Sequence, residues 1–256
     1  MENLDEYSYK DAVCGNIPPY LMRFIKGVGK TINKHDMIEN GDKVLLGISG
    51  GKDSLALALA LSLRRIWLPI DYKLEAILIN WIEHPLTNEQ KDSLYEYFDA
   101  LKIKFEILDE PMFSDGFKGE FNCYLCSRNR RRILFTKAQE KGISLIALGH
   151  HLDDAVQTTI MNMALRGSFD SMHPVQDFFG GKINIIRPML ETHENTIKLI
   201  KDRLKLPVVK AVCPFDEVNI RSKIDPIVTN LVHLDKYARE HIYNSHGFSM
   251  KVLRHS

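Results

Sequence analysis

The chain has 256 residues, 45% of them hydrophobic and 26% charged, with a formal net charge of +1. That composition suits a soluble globular chain long enough to bury a core, and its near-neutral charge excludes a polycation, so any nucleic-acid contact has to come from local patches. There is no run of about 18 apolar residues, and the acidic start MENLDEYSYKD lacks the basic-then-apolar order of a secretory leader, so no membrane association and a cytoplasmic location are expected.

Residues 18–37 place Leu21, Ile25, Val28 and Ile32 at helical spacing, with prolines suited to a first turn. Within them lies GVGKT, which looks like part of a Walker A loop. That loop needs an earlier glycine where Phe24 stands and a strand before it, so a nucleotide loop is rejected here. Strands are then predicted at 43–49, 73–80, 104–108, 144–149 and 182–188. Helices are predicted at 54–67, 87–102, 127–142, 153–167 and 193–204, the last capped by Thr192. The tail 219–246 reads as a closing helix.

Strands alternating with helices predict an α/β fold, a parallel sheet covered on both faces. Ligands in such sheets sit beyond the carboxyl ends of the strands. The expected organisation is an N-terminal helical segment (1–40), a catalytic domain (41–218) and a C-terminal helical extension (219–256).

GISGGKDS, residues 47–54, joins the first strand to its helix. Ser49, Gly50 and Gly51 let backbone N–H groups crowd an anion, Ser54 opens the helix, and Lys52 can reach a phosphate oxygen. Asp53 beside a phosphate calls for a bridging cation, for which Mg²⁺ is suited. A Walker A reading fails twice, at Leu46 and at Asp53. SGGKDS resembles instead the PP-loop of the ATP pyrophosphatase superfamily. That resemblance implies a grip on the β,γ-pyrophosphate of ATP while the α-phosphate is attacked.

FNCYLCSRNRRRILF, residues 121–135, spaces Cys123 and Cys126 so that both sulfurs can face one centre, and Cys213 stands in KAVCPFD. Three thiolates can hold an iron–sulfur cluster or a zinc with one position open. A redox pair, a persulfide carrier and plain core packing are the other readings of these cysteines. Arg128, Arg130, Arg131 and Arg132 follow directly, loading a helix start with charge that opposes its dipole. An RNA backbone or the ATP phosphates would compensate it, and a solvated face would also account for it. ALGHHLDDAVQT, residues 147–158, adds Gly149 beside the nucleotide loop, with His150 and Asp153 able to orient a reacting oxygen, bind Mg²⁺ or move a proton. Asp153 and Gln157 share one helix face.

Taken in order, SGGKDS, CYLCSRNRRR, ALGHHLDD with Asn162 and Met163, and the late Cys213 resemble the tRNA 2-thiocytidine synthetase family over about residues 20–220. The resemblance implies a PP-loop adenine-nucleotide (Rossmann-like) fold, Mg-ATP, and a [4Fe–4S] cluster on Cys123, Cys126 and Cys213. It implies adenylation of the C2 oxygen of a tRNA anticodon-loop cytidine, with sulfur then displacing AMP. Lys52, Asp53, His150 and Asp153 take the catalytic places, while Ser49, Gly50, Gly51, Lys52, Asp53, Ser54 and Gly149 hold the nucleotide. Arg128, Arg130, Arg131 and Arg132 face RNA. The expected partners are tRNA, a sulfur donor such as a cysteine desulfurase, and a second copy of the chain. The chain departs from the family at Asp216, where many members carry a further cysteine. The competing readings are a PP-loop enzyme thiolating another base, an ammonia-using ligase or amidotransferase, and an ATP-sensing module without turnover.

Overall fold

Apolar, β-branched-rich runs alternate with helical ones from residue 43 onward, and each run becomes a strand of one sheet. A computed structural model of the protein describes residues 7–67, 70–113, 123–209 and 220–247. Strand β1 (Lys43–Ile48) pairs in parallel with β2 (Lys73–Trp81) on one side and with β4 (Leu145–Ala147) on the other. β3 (Lys104–Glu110) extends the sheet beyond β2, and β6 (Ile183–Ile186) extends it beyond β4. The order is β3-β2-β1-β4-β6-β5, in which β5 (Val175–Phe178) is an antiparallel edge strand that the sequence did not predict. Its alternation is short and interrupted by polar residues, so it gives little periodic signal.

The connecting helices are α3 (Lys52–Arg64), α4 (Asn88–Ala100), α5 (Cys123–Glu140) and α6 (Leu152–Arg166). Helix α3 begins two residues before its predicted start, with Gly51 as its N-cap, so Lys52 and Asp53 belong to its first turn. Helix α5 likewise starts earlier than predicted and carries Cys123 and Cys126 within it. Helix α7 (Glu194–Arg203) is capped by His193 rather than Thr192. The closing segment divides into α8 (Ile220–Leu234) and α9 (Ala238–Asn244).

Eleven of the thirteen residues of α3, Ser54 through Arg64, are buried. It lies in the main core with β1, β2, α4 and α7, and the core is completed by two N-terminal helices, α1 (Tyr9–Val13) and α2 (Pro19–Lys34). A second core under α5 joins Leu45, Ile77, Ile133 and Ile146. A third joins Leu152 and Val156 of α6 to Ile224 and Val228 of α8 and Tyr243 of α9. Burial of this kind contributes about 25 cal/mol per Å² of apolar surface, which outweighs the modest helix propensities of the β-branched residues.

Candidate functional site

Strand β1 delivers residues 49–54 to the carboxyl edge of the sheet. Gly50 takes a positive φ of 81°, and a Cβ there would lie 2.6 Å from Val209 Cγ2. The backbone of Val209 donates to Gly50 O at 2.9 Å, fixing the approach. Ser54 Oγ donates to Gly51 O at 3.0 Å and accepts from Ser49 N–H at 3.2 Å, while Gly51 N–H reaches Ser49 Oγ at 3.2 Å. The serines thus brace the loop from inside. Among the described residues no side chain caps α3, which leaves its first N–H groups as anion donors.

Lys52 Nζ lies 3.1 Å from the Asp53 carboxylate and 3.0 Å from Glu194 Oε1 in the first turn of α7. Burial opposes its charge, but Asp53 and Glu194 outweigh burial and hold the ammonium above its ordinary range. Burial pushes Glu194 up in turn, and the Lys198 and Lys52 cations overrule it, holding the carboxyl below its ordinary range. Asp53 Oδ1 is buried and accepts no hydrogen bond of good geometry among the described residues, with the Lys52 ammonium 3.1 Å away, and a carboxylate oxygen of this kind suits a hard cation.

The turn after β4 closes against this loop. A Cβ on Gly149 would stand 2.9 Å from Asp53 C and Ser54 N, so only glycine lets the two backbones meet. His150 is half-buried beyond it. His151 is fully enclosed, with Nε2 at 3.6 Å from Asp53 Oδ1 and 3.5 Å from Asp154 Oδ2. Asp154 also accepts the His151 backbone N–H at 3.0 Å, which ties the start of α6. Asp153 turns elsewhere. Its Oδ2 accepts the Glu194 N–H at 2.9 Å and its Oδ1 accepts from Arg239 Nε, so it joins α6 to α7 and α9. Gln157, on the same face, bonds Asp225 of α8.

Sequence reasoning put both histidines of GHHLDD beside the nucleotide loop but singled out His150, and it left out Glu194 and Arg239. The pairing of His151 with an acid three residues on was a legible helix-start signal. Glu194 and Arg239 come from positions 41 and 86 residues beyond Asp153, and no local pattern points to them.

Helix α5 connects the far end of β3 to the near end of β4, so its N-terminal end and Cys123 lie toward the carboxyl edge. Its 18 residues span about 26 Å. Cys126 is half-buried against the second core. The side chain of Cys123 and all of Cys213 lie outside the described residues. Arg130 covers the Trp81 ring at 5.4 Å with its Nε buried, and Arg131 covers Phe178 at 6.0 Å. Arg128, Arg131 and Arg132 are exposed on one face of the helix.

A doubly covered sheet with a serine-braced glycine loop, a lysine and an aspartate at the first turn of its helix defines a PP-loop nucleotide fold. The PP-loop domain family matches residues 22–210, and the chain belongs to that family. The tRNA-cytidine(32) 2-sulfurtransferases of Burkholderia mallei and Burkholderia pseudomallei are 35% identical to it over 191 residues, which cover 73% of this chain and 57% of theirs. The chain thus spans little over half the length of these relatives. Among solved structures, the U34-tRNA thiolase NcsA from Methanococcus maripaludis, determined with its [4Fe–4S] cluster, superposes with a TM-score of 0.72. The sequences are 25% identical, and the match covers 90% of this chain and 77% of that one.

Proposed function

We propose that the protein is an ATP-dependent tRNA sulfurtransferase that converts an anticodon-loop cytidine into 2-thiocytidine. The observation that carries the reading is the convergence, at one sheet edge, of the braced 49–54 loop, the Gly149–Asp154 turn and the cysteine-bearing start of α5. The names of the tRNA-modifying relatives support the same substrate class.

In this reading the N–H groups at 50–54 and Lys52 hold the β- and γ-phosphates of ATP, and Asp53 holds Mg²⁺. His151, enclosed beside Asp53 and Asp154, fixes the Asp53 carboxylate toward the cation. The C2 oxygen of the base attacks the α-phosphorus and pyrophosphate departs, leaving the oxygen esterified as AMP. A sulfur nucleophile then adds at C2, and AMP leaves with that oxygen. The activation is needed because a carbonyl oxygen is a poor leaving group and AMP a good one. Cys123, Cys126 and Cys213 would hold a [4Fe–4S] cluster, which when bound supplies an open iron position for sulfide. Val209, bonded to Gly50, brings the chain to the nucleotide loop four residues before Cys213 in sequence. Arg128, Arg131 and Arg132 present a basic face to the tRNA backbone.

Mass spectrometry of tRNA nucleosides from cells with and without the gene tests the assignment. Loss of 2-thiocytidine alone is expected. Loss of a different thiolated base would keep the chemistry and move the substrate to that base, as the NcsA likeness allows. No change in any thiolated base would overturn the sulfur reading and favour an ammonia-using adenylating enzyme.

A further inference from the structure

The GVGKT stretch that fails as a nucleotide loop lies on α2 against the opposite end of α3. Arg64 closes that helix, about 18 Å along its axis from Lys52. Its residue is only 9% exposed, yet it lines an open basin of about 540 Å³ with Lys26, Gly29, Lys30, Asn33 and Lys34. Those α2 positions follow helical spacing and form one stripe. Gly29 is what admits the guanidinium: a Cβ there would lie 1.9 Å from Arg64 Nη1. Arg64 Nη2 donates to Asn33 Oδ1 at 2.7 Å, which aims the group along the stripe.

The charges in this basin are not cancelled. Lys34 pairs with Glu191 at 2.7 Å, but Lys26 and Lys30 form no ion pair among the described residues. No acidic side chain lines the basin there. Burial lowers the Arg64 pKa, and the group that opposes this is the Tyr72 phenol rather than a carboxylate. A desolvated cation without a counter-ion is costly, and a bound anion would relieve it. An adjoining hollow of about 320 Å³ shares Lys26 and Arg64 and is walled by Met22, Ile25 and Trp67, the last 45% exposed. A guanidinium beside two lysines and an apolar ledge matches a phosphate attached to a flat or hydrophobic group better than a carboxylate.

We infer that the basin between α2 and α3 is a phosphate-binding site, with Arg64, Lys30 and Lys26 as its ligands, distinct from the nucleotide loop. The ledge at Trp67 favours a backbone phosphate of RNA over free phosphate as the source. That choice of source rests on the tRNA reading, whereas the site itself does not.

The test uses the full chain labelled with 5-fluorotryptophan, which places one probe at Trp67 and the other at Trp81. Inorganic phosphate is titrated against chloride at constant ionic strength, with ¹⁹F NMR as readout. The Trp67 resonance is expected to shift saturably, with affinity falling at least tenfold in Lys30→Glu and in Gly29→Ala. Lys30 is exposed, and Gly29→Ala needs only the far end of an arginine to move, so both variants are expected to fold. In parallel, tRNA affinity is measured over a salt series. Weaker binding with a log–log slope reduced by about 1 in Lys30→Glu assigns the site to RNA backbone. Loss of the Trp67 shift with unchanged tRNA binding keeps the site and assigns it to free phosphate. A Trp67 resonance that does not respond to phosphate, or that responds in both variants as it does in the unsubstituted protein, overturns the inference. None of these readouts depends on thiolation.

Discussion

At the N-terminal end of α3, Lys52 stands between Asp53 and Glu194, whereas at its C-terminal end Arg64 stands beside Lys26 and Lys30 with no carboxylate lining the basin among the described residues. The same helix therefore begins in a balanced network and ends in an unbalanced one. Balance suits a centre that must bind and release a charged substrate while a divalent cation is present, because the carboxylates keep the lysine in place when the site empties. An uncancelled cluster suits a standing grip on an anion. The two glycines that shape these ends differ in the same way. Gly149 meets backbone, and Gly29 meets the tip of a side chain.

The largest expected effect lies at the balanced end. On the proposed function, Lys52→Ala removes the side chain that would hold the departing pyrophosphate and should lower tRNA-dependent pyrophosphate release on the order of 10²–10³-fold. Release within tenfold of wild type would move the phosphates away from residues 49–54.

Glu191 acts at the basin end, where it neutralises Lys34, one of the lysines that line the basin. Burial alone would raise its pKa, but hydrogen bonds from His35 and Lys34 bring it down from 4.5 to about 2. A depressed carboxylate stabilises the fold above its unfolded value, so the contribution is complete above about pH 4.5 and disappears as the pH falls toward 2. The shift corresponds to roughly 3 kcal/mol at most. Denaturation of Glu191→Gln should show a deficit at pH 7 that narrows below pH 4.5. A deficit constant down to pH 3 would count against the pairing.

Alanine at the two glycines sharpens the contrast further. In Gly149→Ala the new methyl meets the backbone of Asp53 and Ser54, which cannot rotate away, and overpacking of that kind costs about 1–3 kcal/mol. A fall of roughly 3–10 °C in Tm is expected, together with weaker ATP binding. In Gly29→Ala the arginine tip swings aside and alanine adds up to about 1 kcal/mol of helix propensity, so Tm should hold within about 2 °C. Equal losses in the two variants would erase the distinction.

How much of this was legible from the sequence depended on separation along the chain. The 49–54 loop is a local motif, so its strand, glycines, lysine and aspartate were all readable. The Gly149 turn was readable as a second motif, though its contact with Asp53 was not. At 153 the sequence suggested chemistry, while the structure places Asp153 on the Glu194 N–H and on Arg239. Partners 41 and 86 residues away leave no periodic trace. The basin was hidden for the same reason. Lys26 and Lys30 look like an ordinary solvated helix face until Arg64, 34 residues beyond Lys30, arrives at Gly29. Edge strand β5 was missed because the residue types of VQDF do not alternate between apolar and polar, even though their burial does.

The smallest predicted effect concerns the second carboxylate on Lys52. Glu194 holds the ammonium at 3.0 Å, and a phosphate oxygen entering the loop has to compete with it. Glu194 keeps about a third of its side chain exposed, so solvent screens the pair and its worth is on the order of 0.5–1 kcal/mol. Glu194→Gln keeps the shape and the backbone N–H that Asp153 accepts, and it removes the competing charge. KM for Mg-ATP should therefore fall about two- to fivefold, with kcat little changed, because the lysine reaches the phosphates more freely in ground and transition states alike. If KM rises instead, Glu194 acts by orienting Lys52 rather than by restraining it, and the balanced end of α3 is balanced for positioning rather than for release.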